Sequence, residues 1–324
     1  MSRSPARSDT VTPLNTGKIM TVAGAIETAA LGCTLPHEHV MSTFGAESAR
    51  YPFYDVERLF SSVLPYLKRV KELGCQTLVD CTAAYFGRHP ELLRRISQES
   101  GFNILTNTGY YGAAADRYVP AHAYHESADE IAGRWIREWR YSIDGTGVRP
   151  GFIKTAVDDG PLSEIDRRLL VAAVRTHLQT GLIIQTHTGN NWPVVQEMLT
   201  LLRREGAHPS AWIWVHAHQV QDTRAIAQAA AEGAWISFDG LNEQSAAHIL
   251  ALLQTMKEQR CLDQVLLSHD GDAHYGNGQF RPFHYLFTDF TATLRQNGFA
   301  EDEIHLLTVD NPQCAFTVRV RTTE

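Results

Sequence analysis

The sequence predicts an α/β protein built on a (β/α)8 barrel with a short N-terminal β-hairpin. Short β-branched and apolar runs alternate with amphipathic segments along most of the chain, which is typical of a buried parallel sheet. This alternation can be counted eight times in 324 residues, the number of units in one such barrel. The alternative is a doubly wound open sheet, but no G-x-G-x-x-G motif follows the first strand.

The elements follow from the periodicity of the apolar residues. The first helix is predicted over residues 55–73, where apolar side chains recur every three or four positions and Gly74 follows as a stop. Residues 19–26 and 31–35 are expected to pair as the N-terminal hairpin. The barrel strands are predicted at residues 34–40, 76–81, 102–106, 151–154, 182–187, 212–216, 234–238 and 265–268.

Composition predicts a single domain and argues against nucleic-acid and membrane partners. Residues 1–18 are expected to be a flexible tail and residues 19–324 a single domain, because no linker-like composition interrupts them. The net charge of −7 and the absence of a basic block argue against a nucleic-acid partner. No apolar run approaches the roughly 18–20 residues that span a membrane, and no signal-peptide pattern begins the chain. We therefore expect a cytoplasmic protein without a membrane partner; a homodimer is compatible with the sequence.

Polar side chains recur at the carboxyl ends of five predicted strands, where barrels of this kind carry their active sites. A single histidine at such a point is more often a rim or core residue, but six polar groups at matching points favour a metal site. The six are His37, His39, Lys154, His187, His216 and Asp270. His37 and His39 lie two apart and so share one face of a strand. Imidazoles with a carboxylate suit zinc first, and also manganese, cobalt or iron, better than calcium or magnesium.

Lys154 is the unusual member of this set. An ammonium group beside metal ions would be repelled, so the side chain must be neutral or modified. Carboxylation by carbon dioxide would give it two anionic oxygens, which are enough to bridge two ions. An ordinary substrate-binding lysine fits its position equally well.

These residues carry a resemblance to the phosphotriesterase family of the amidohydrolase superfamily, over residues 19–318. The matching stretches are residues 21–24, 34–39, 79–80, 108–111, 147–154, 186–188, 267–270 and 311–312. The resemblance implies a binuclear centre of two divalent ions. It assigns His37, His39 and Asp270 to one ion, His187 and His216 to the other, and an N6-carboxylated Lys154 with a hydroxide to the bridge.

The implied reaction is hydrolysis. Two metal ions lower the pKa of a shared water toward neutrality, and Asp270 is expected to accept its proton and pass it to the leaving group. Tyr111 falls where lactonase members carry a tyrosine, and either hydrogen-bonds the leaving oxygen or forms a wall of the barrel mouth. We expect a small-molecule lactone or carboxylic ester as substrate, with promiscuous phosphotriester hydrolysis. A phosphoesterase, an amidohydrolase and a silent ligand-binding member stay open as alternatives.

The sequence differs from other family members at positions that are expected to contact the substrate or relay a proton. Gly240 stands where members can have an arginine or histidine for substrate contact or proton relay. Gln219 stands where an acidic relay residue is expected, and His218 is either its replacement or a surface histidine. The candidate substrate-binding residues are Tyr111, His218, Asp239 and His274, the last in a short loop after the final strand.

Overall fold

The computed structural model describes residues 14–43, 55–189, 192–274 and 280–323. The strands are β1 Lys18–Thr21, β2 Gly24–Glu27, β3 Thr34–Glu38, β4 Thr77–Asp80, β5 Asn103–Leu105, β6 Asn107–Thr108, β7 Phe152–Ala156, β8 Ile184–His187, β9 Trp212–Val215, β10 Trp235–Phe238 and β11 Val265–Leu267. The helices are α1 Val56–Glu72, α2 Pro90–Ser100, α3 Ala128–Arg140, α4 Glu164–Thr180, α5 Trp192–Arg204, α6 Thr223–Ala231, α7 Ala246–Glu258, α8 Thr291–Gln296, α9 Glu301–His305 and α10 Asn311–Phe316.

Strands β3 to β11 form the predicted barrel. They pair in parallel in the orders β3-β4-β5 and β6-β7-β8-β9-β10-β11. Only Thr106 separates β5 from β6, so the two are halves of one strand and the barrel has eight. The segment that follows β11 is hydrogen-bonded to β3 and its extension, which closes the barrel. Asp270 N donates to the His37 carbonyl at 3.2 Å, and His39 N donates to the Gly271 carbonyl at 2.8 Å. The barrel prediction is confirmed, with each strand within a few residues of its expected place.

The N-terminal hairpin is present, but its strands differ from the predicted ones. β1 pairs antiparallel with β2, Lys18 opposite Glu27, whereas residues 34–38 belong to the barrel. The run over 19–26 contains its own turn, in which Thr21 Oγ1 donates to the Gly24 carbonyl at 2.8 Å and Gly24 has φ 119°. The predicted tail lies outside the described residues up to residue 13. Residues 14–17 form a turn, tied by Gly17 N to the Val318 carbonyl at 2.9 Å.

Helix α1 confirms the first predicted helix. Asp55 is its N-cap, since its carboxylate accepts from the backbone N–H groups of Glu57 and Arg58. The buried face consists of Leu59, Val63, Leu67 and Val70. No described helix has the length and apolar character needed to cross a membrane.

The barrel interior changes from apolar to polar along its axis. At the amino end it is filled by a cluster of buried side chains that includes Ile19, Leu31, Val79, Leu105, Phe152, Ile183, Ile213, Trp235, Leu266 and Phe316. Lys154 and Gln185 are the next inward positions after Phe152 and Ile183, because successive inward residues of a strand are two apart. The polar groups of the site therefore lie directly above a layer of packed apolar side chains in the barrel.

Candidate metal centre and active site

Two imidazoles face the barrel interior because β3 contains a β-bulge. Between Leu35 and Glu38, β3 advances by three residues while its partner β4 advances by two. Leu35 packs in the core outside the barrel. The extra residue reverses the alternation of side chains, so His37 and His39 turn inward. Pro36 stands inside the irregular segment, where its missing N–H costs no regular ladder hydrogen bond.

The first candidate metal group consists of His37, His39 and Asp270, whose ligand atoms all lie within 4.8 Å of one another. Nε2 of His37 is 3.3 Å from Oδ1 of Asp270, and Nε2 of His39 is 3.2 Å from the same oxygen. Burial opposes ionisation of Asp270, but its contacts with the two histidines hold its pKa well below the usual range. A carboxylate and two imidazoles thus converge on one point.

The hydrogen bonds around His39 test whether this group fits a cation. The hydroxyl of Thr82 donates to the Met41 carbonyl at 2.7 Å, so it accepts from Nδ1–H of His39 at 2.9 Å. Burial lowers the pKa of His39 to about 4, which keeps the ring neutral. Its Nε2 lone pair therefore faces the Asp270 carboxylate, and two such acceptors repel unless a cation lies between them. The residues fit a metal ion.

The second candidate group is centred on His216. Its Nε2 lies 2.7 Å from Nδ1 of His187, and its Nδ1 lies 2.6 Å from Oδ1 of Asp239. A carboxylate on the far nitrogen orients a histidine ring and leaves its Nε2 as the metal ligand. His216, His218 and Asp239 also have ligand atoms within 4.8 Å of one another. Because His216 already engages the Asp239 oxygen there, we favour the pair of His187 and His216 as the ligands.

Asp239 connects the two groups. Besides the contact with His216, its Oδ2 lies 3.3 Å from Nδ1 of His37. Burial opposes its ionisation, but His216, His37 and His218 together hold its pKa well below the usual range. The residue is fully buried. The sequence suggested Asp239 as a substrate contact, and the structure places it behind the histidines, where it orients one member of each group.

Lys154 lies next to members of both groups. It projects from the middle of β7, where it pairs in register with Gln185, and it is 1% exposed. A positive charge on Lys154 would lower the pKa values of His37, His39 and His187. A cation so placed would oppose the binding of metal ions to these histidines, whereas a carbamate anion would support it.

Two of the candidate ligands have an uncommon backbone conformation. His216 has φ 64° and Asp270 has φ 51°, in the left-handed region that residues other than glycine rarely adopt. His216 directly follows β9, and Asp270 lies three residues after the end of β11. Such conformations persist where the surrounding structure holds them and concentrate at functional sites.

Glu38 was not predicted as a site residue, yet it holds the Asp270 segment in place. Its Oε1 accepts from Ser268 Oγ at 2.7 Å, from His269 N at 3.0 Å and from His269 Nδ1 at 2.8 Å, and its Oε2 accepts from Gly271 N at 2.7 Å. The side chain is fully buried. A glutamate between two strand histidines must point away from them, and that alternation is the signal that could have identified its separate role.

Tyr111 lies where the sequence placed it, at the mouth of the barrel. Its ring stacks on Phe86 with centroids 4.7 Å apart and an interplanar angle of 10°, and it lies 5.3 Å from the His187 ring. The side chain is 5% exposed. Tyr111 therefore forms an aromatic wall beside the second metal group.

A cleft of about 500 Å³ opens beside the candidate ligands His216 and Asp270. His218 lines it with a side chain that is 14% exposed. A Cβ atom on Gly240 would lie 2.3 Å from Nε2 of His218. The imidazole thus occupies the space into which a side chain at position 240 would project. Nδ1 of His218 lies 3.4 Å from Oδ1 of Asp239.

His274 is held through its backbone in the loop that follows the last strand. Its N–H donates to Asp272 Oδ1 at 3.0 Å, and its carbonyl accepts from Ser42 N at 3.1 Å. It is not among the described residues that line the cleft. Residues 275–279 of the same loop lie outside the described part of the chain. The substrate-binding role of His274 stays a prediction.

Arg281 is a cleft residue that sequence reasoning missed. It lines the cleft, and its Nη1 lies 3.4 Å from Oδ2 of Asp270. The arginine is eleven positions away from Asp270 along a loop with no periodic pattern. No sequence signal marked it.

Fold and site together define a parallel barrel with candidate metal ligands at its mouth, and comparison with known proteins gives its family. The model of the phosphotriesterase family matches residues 17–316, and the chain belongs to this family. The phosphotriesterase homology protein of Mycobacterium tuberculosis is 27% identical, covering 92% of this chain and 97% of that protein. The aryldialkylphosphatase of Saccharolobus solfataricus is 26% identical, covering 90% and 97%.

A solved structure agrees with this assignment. A triple mutant of the organophosphorus hydrolase from Deinococcus radiodurans superposes with a TM-score of 0.84 at 30% identity, covering 94% of this chain and 99% of that one. The relatives are named for hydrolysis. This chain is accordingly a hydrolase-family barrel, as the sequence predicted.

Proposed function

We propose that the protein is a hydrolase that uses two divalent metal ions, zinc first among them, to cleave a lactone or related carboxylic ester. The observation that carries the proposal is the convergence of His37 Nε2, His39 Nε2 and Asp270 Oδ1 on one point. Three such ligands are what catalytic zinc sites take from a protein while one position stays open. The second ion would be held by His187 and His216, and a carboxylated Lys154 would join the two.

Metal ions at this position supply an acidified water and an electrophile for the substrate's carbonyl or phosphoryl oxygen. The chain's own residues then have separate tasks. Asp270 has one oxygen toward His37 and His39 and the other toward the cleft side, near Arg281. It can accept a proton from the attacking water and deliver it to the leaving group.

The residues around the ligands orient them and limit access of water. Thr82 and Asp239 fix the rings of His39 and His216 through their Nδ1 atoms. Tyr111 covers His187 from the side, where its hydroxyl is a candidate donor to the leaving oxygen. His218, seated over Gly240 and facing Asp239, is a candidate for the proton-relay position that Gly240 leaves without a side chain.

Carboxylic ester chemistry is favoured over phosphotriester chemistry by the lining of the cleft. Polar side chains surround it, among them His218, Gln219, Asn242, Gln244 and Arg281. A neutral triester with apolar substituents would find few apolar partners among them. Promiscuous hydrolysis of phosphotriesters is proposed as a weaker side activity of the same centre.

The test is turnover by protein stripped of metal with a chelator and then reconstituted with zinc, manganese or cobalt. The panel contains γ- and δ-lactones, aryl carboxylic esters, a dialkyl aryl phosphotriester and an N-acyl amide. We expect metal-dependent turnover, fastest on a lactone or ester and lost in His39→Ala. The matched control is His305→Ala on the exposed face of α9. Faster turnover of the phosphotriester or amide would overturn the assignment of substrate, and no turnover would overturn the assignment as an enzyme.

A further inference from the structure

We infer that the protein has a second ligand site, a cleft at the end of the barrel opposite the candidate metal centre, which binds a small phosphate monoester between Arg94 and Arg149. The cleft has a volume of about 370 Å³. Three parts of the chain line it: the turn of the N-terminal hairpin, helix α2 and the segment that leads into β7. The inference is independent of the proposed hydrolysis.

The direction of the elements places this cleft at the amino end of the barrel. Arg149 lies three residues before the first residue of β7, whereas the candidate metal ligands gather toward the carboxyl ends of the strands. Helix α2 follows β4 and runs back toward the amino end, and it carries Arg94 and Gln98. Among the described residues, the lining of this cleft has no member in common with the cleft beside His216.

The two arginines are the charged side chains among the described lining residues. Nη1 of Arg94 donates to the Thr146 carbonyl at 2.8 Å, and Nη2 of Arg149 donates to the Arg140 carbonyl at 3.2 Å. Neither arginine has an ion pair within the described part of the chain. A guanidinium has five N–H donors, so both arginines keep donors for a ligand.

Carboxylates close to this cleft in the sequence interact with other arginines. Asp144, in the segment before β7, lies 3.9 Å from Nη2 of Arg88. The charge of Glu99, next to Gln98 on α2, acts on Arg95. The whole protein has a net charge of −7, so a cleft lined by two cations and no described carboxylate differs from the rest of the molecule. An anion bound there would offset the repulsion between the two guanidinium groups.

The walls of the cleft are held in place by backbone contacts. A Cβ atom on Gly151 would lie 2.4 Å from the Met20 carbonyl oxygen, so the segment before β7 packs directly against the hairpin. Val22 N donates to the Ile104 carbonyl at 2.8 Å, which ties the same hairpin to β5. Because these walls are formed before a ligand arrives, little ordering is needed for binding.

Charge and size indicate the class of ligand. A phosphate monoester carries about −1.5 to −2 charges at pH 7, which matches two guanidinium groups, and arginine binds its oxygens in pairs. The volume lies within the range of about 300–1,000 Å³ that small-molecule sites have, so an organic group fits beside the phosphate. The ring of Tyr141 lines the same cleft and is 75% exposed, which offers a surface to a planar group.

The experiment is isothermal titration calorimetry with inorganic phosphate, adenosine monophosphate, adenosine and succinate, on protein as purified and after removal of metal by a chelator. We expect adenosine monophosphate to bind with a Kd of about 1 mM or lower and more tightly than phosphate, and adenosine not to bind. Arg94→Gln and Arg149→Gln should each weaken binding about tenfold or more, the scale of a hydrogen bond to a charged group. Arg95→Gln, the adjacent arginine that pairs with Glu57, should leave the Kd unchanged.

Two further variants keep the test informative if a glutamine variant does not fold. Arg94→Lys should retain part of the affinity because it keeps the charge. Tyr141→Ala, at an exposed position, should reduce the affinity for adenosine monophosphate to that for phosphate. An unchanged preference for adenosine monophosphate in Tyr141→Ala would place its ring elsewhere and overturn the inference.

The chelator distinguishes this cleft from the candidate metal centre, because metal ions also bind phosphate oxygens. Binding that disappears with the metal, or that neither glutamine variant weakens, lies elsewhere and overturns the inference. So does the absence of binding at about 10 mM adenosine monophosphate. Tighter binding of succinate than of either phosphate compound would overturn the class of ligand. Each of these results leaves the proposed hydrolysis unaffected.

Discussion

Nδ1 of His269 lies 2.8 Å from Oε1 of Glu38, and this contact joins the last strand of the barrel to the first. Nε2 of His269 accepts from Leu286 N at 3.1 Å, so the ring is neutral with its proton on Nδ1. Glu38 accepts from four donors, and the segment that it holds contains Asp270.

Glu38→Gln should destabilise the protein by about 2–4 kcal/mol, because an amide nitrogen would replace one acceptor in front of buried N–H groups. Asp270 should also be less well positioned, so affinity for the first metal ion should fall. Urea unfolding of the metal-free protein and metal titration measure the two effects. Glu72→Gln, 71% exposed on α1, is the control. Unfolding free energies equal to within about 0.5 kcal/mol would show that Glu38 does not hold the segment.

Much of the site could be predicted from the sequence because most of its candidate ligands lie at or just beyond strand ends. His37, His39, Lys154, His187 and Asp270 each end or follow an apolar run, and parallel strands bring such ends together. The order of strands and helices is enough to predict that these residues lie at the same end of the barrel.

The rest of the site depends on contacts that no periodicity encodes. The bulge that turns His37 inward follows from a register shift against β4. The approach of Arg281 to Asp270 depends on a loop closing over Gly271. The position of His218 depends on the missing side chain at Gly240. Each of these features is a contact between residues that are separated in the sequence. Such contacts are fixed only when the chain has folded.

Asp270→Asn should lower turnover at least about a hundredfold if this carboxylate carries the proton, which is the usual range for general acid–base catalysis. The residue is also a proposed ligand, so metal content must be measured on the same sample. The readout is kcat at saturating substrate and saturating metal. A variant with full metal content and a near-normal rate would remove Asp270 from proton transfer.

Lys154→Ala should lose metal and activity together, because the bridging anion is removed. Acetate or propionate should restore part of both by occupying the vacated space, and bicarbonate should accelerate reassembly of the wild type. Lys68→Ala, exposed on α1, should respond to neither. Intact mass under native conditions reports the extra carboxyl group directly. A fully metallated, active protein with an unmodified lysine would refute the carbamate.

His177 should make stability depend on pH far from the active site. Burial lowers its pKa to about 4; its Nδ1 donates to the Leu182 carbonyl at 2.7 Å and its Nε2 accepts from Arg321 N at 3.0 Å. The unfolded chain takes up a proton below its pKa of about 6.5, and the folded chain does so only near 4. This contribution is therefore complete above pH 6.5 and is lost as pH falls toward 4, at up to about 1.4 kcal/mol per pH unit.

The measurement for His177 is the free energy of unfolding between pH 7 and pH 4, compared with His177→Gln. We expect the wild type to lose about 3 kcal/mol more than the variant over that interval. His305→Gln, whose side chain is 60% exposed, should follow the wild type. Parallel curves for wild type and His177→Gln would mean that His177 titrates alike in the folded and unfolded chains.

The proposed hydrolysis requires two metal ions in one chain, and elemental analysis counts them. Protein purified without chelator, or reconstituted with zinc, manganese or cobalt and then desalted, should contain about two ions per chain, because the six candidate ligands exceed what one tetrahedral site uses. Activity should rise with the occupancy of both sites. A single tightly held ion at full activity, or none retained after reconstitution, would exclude a binuclear centre.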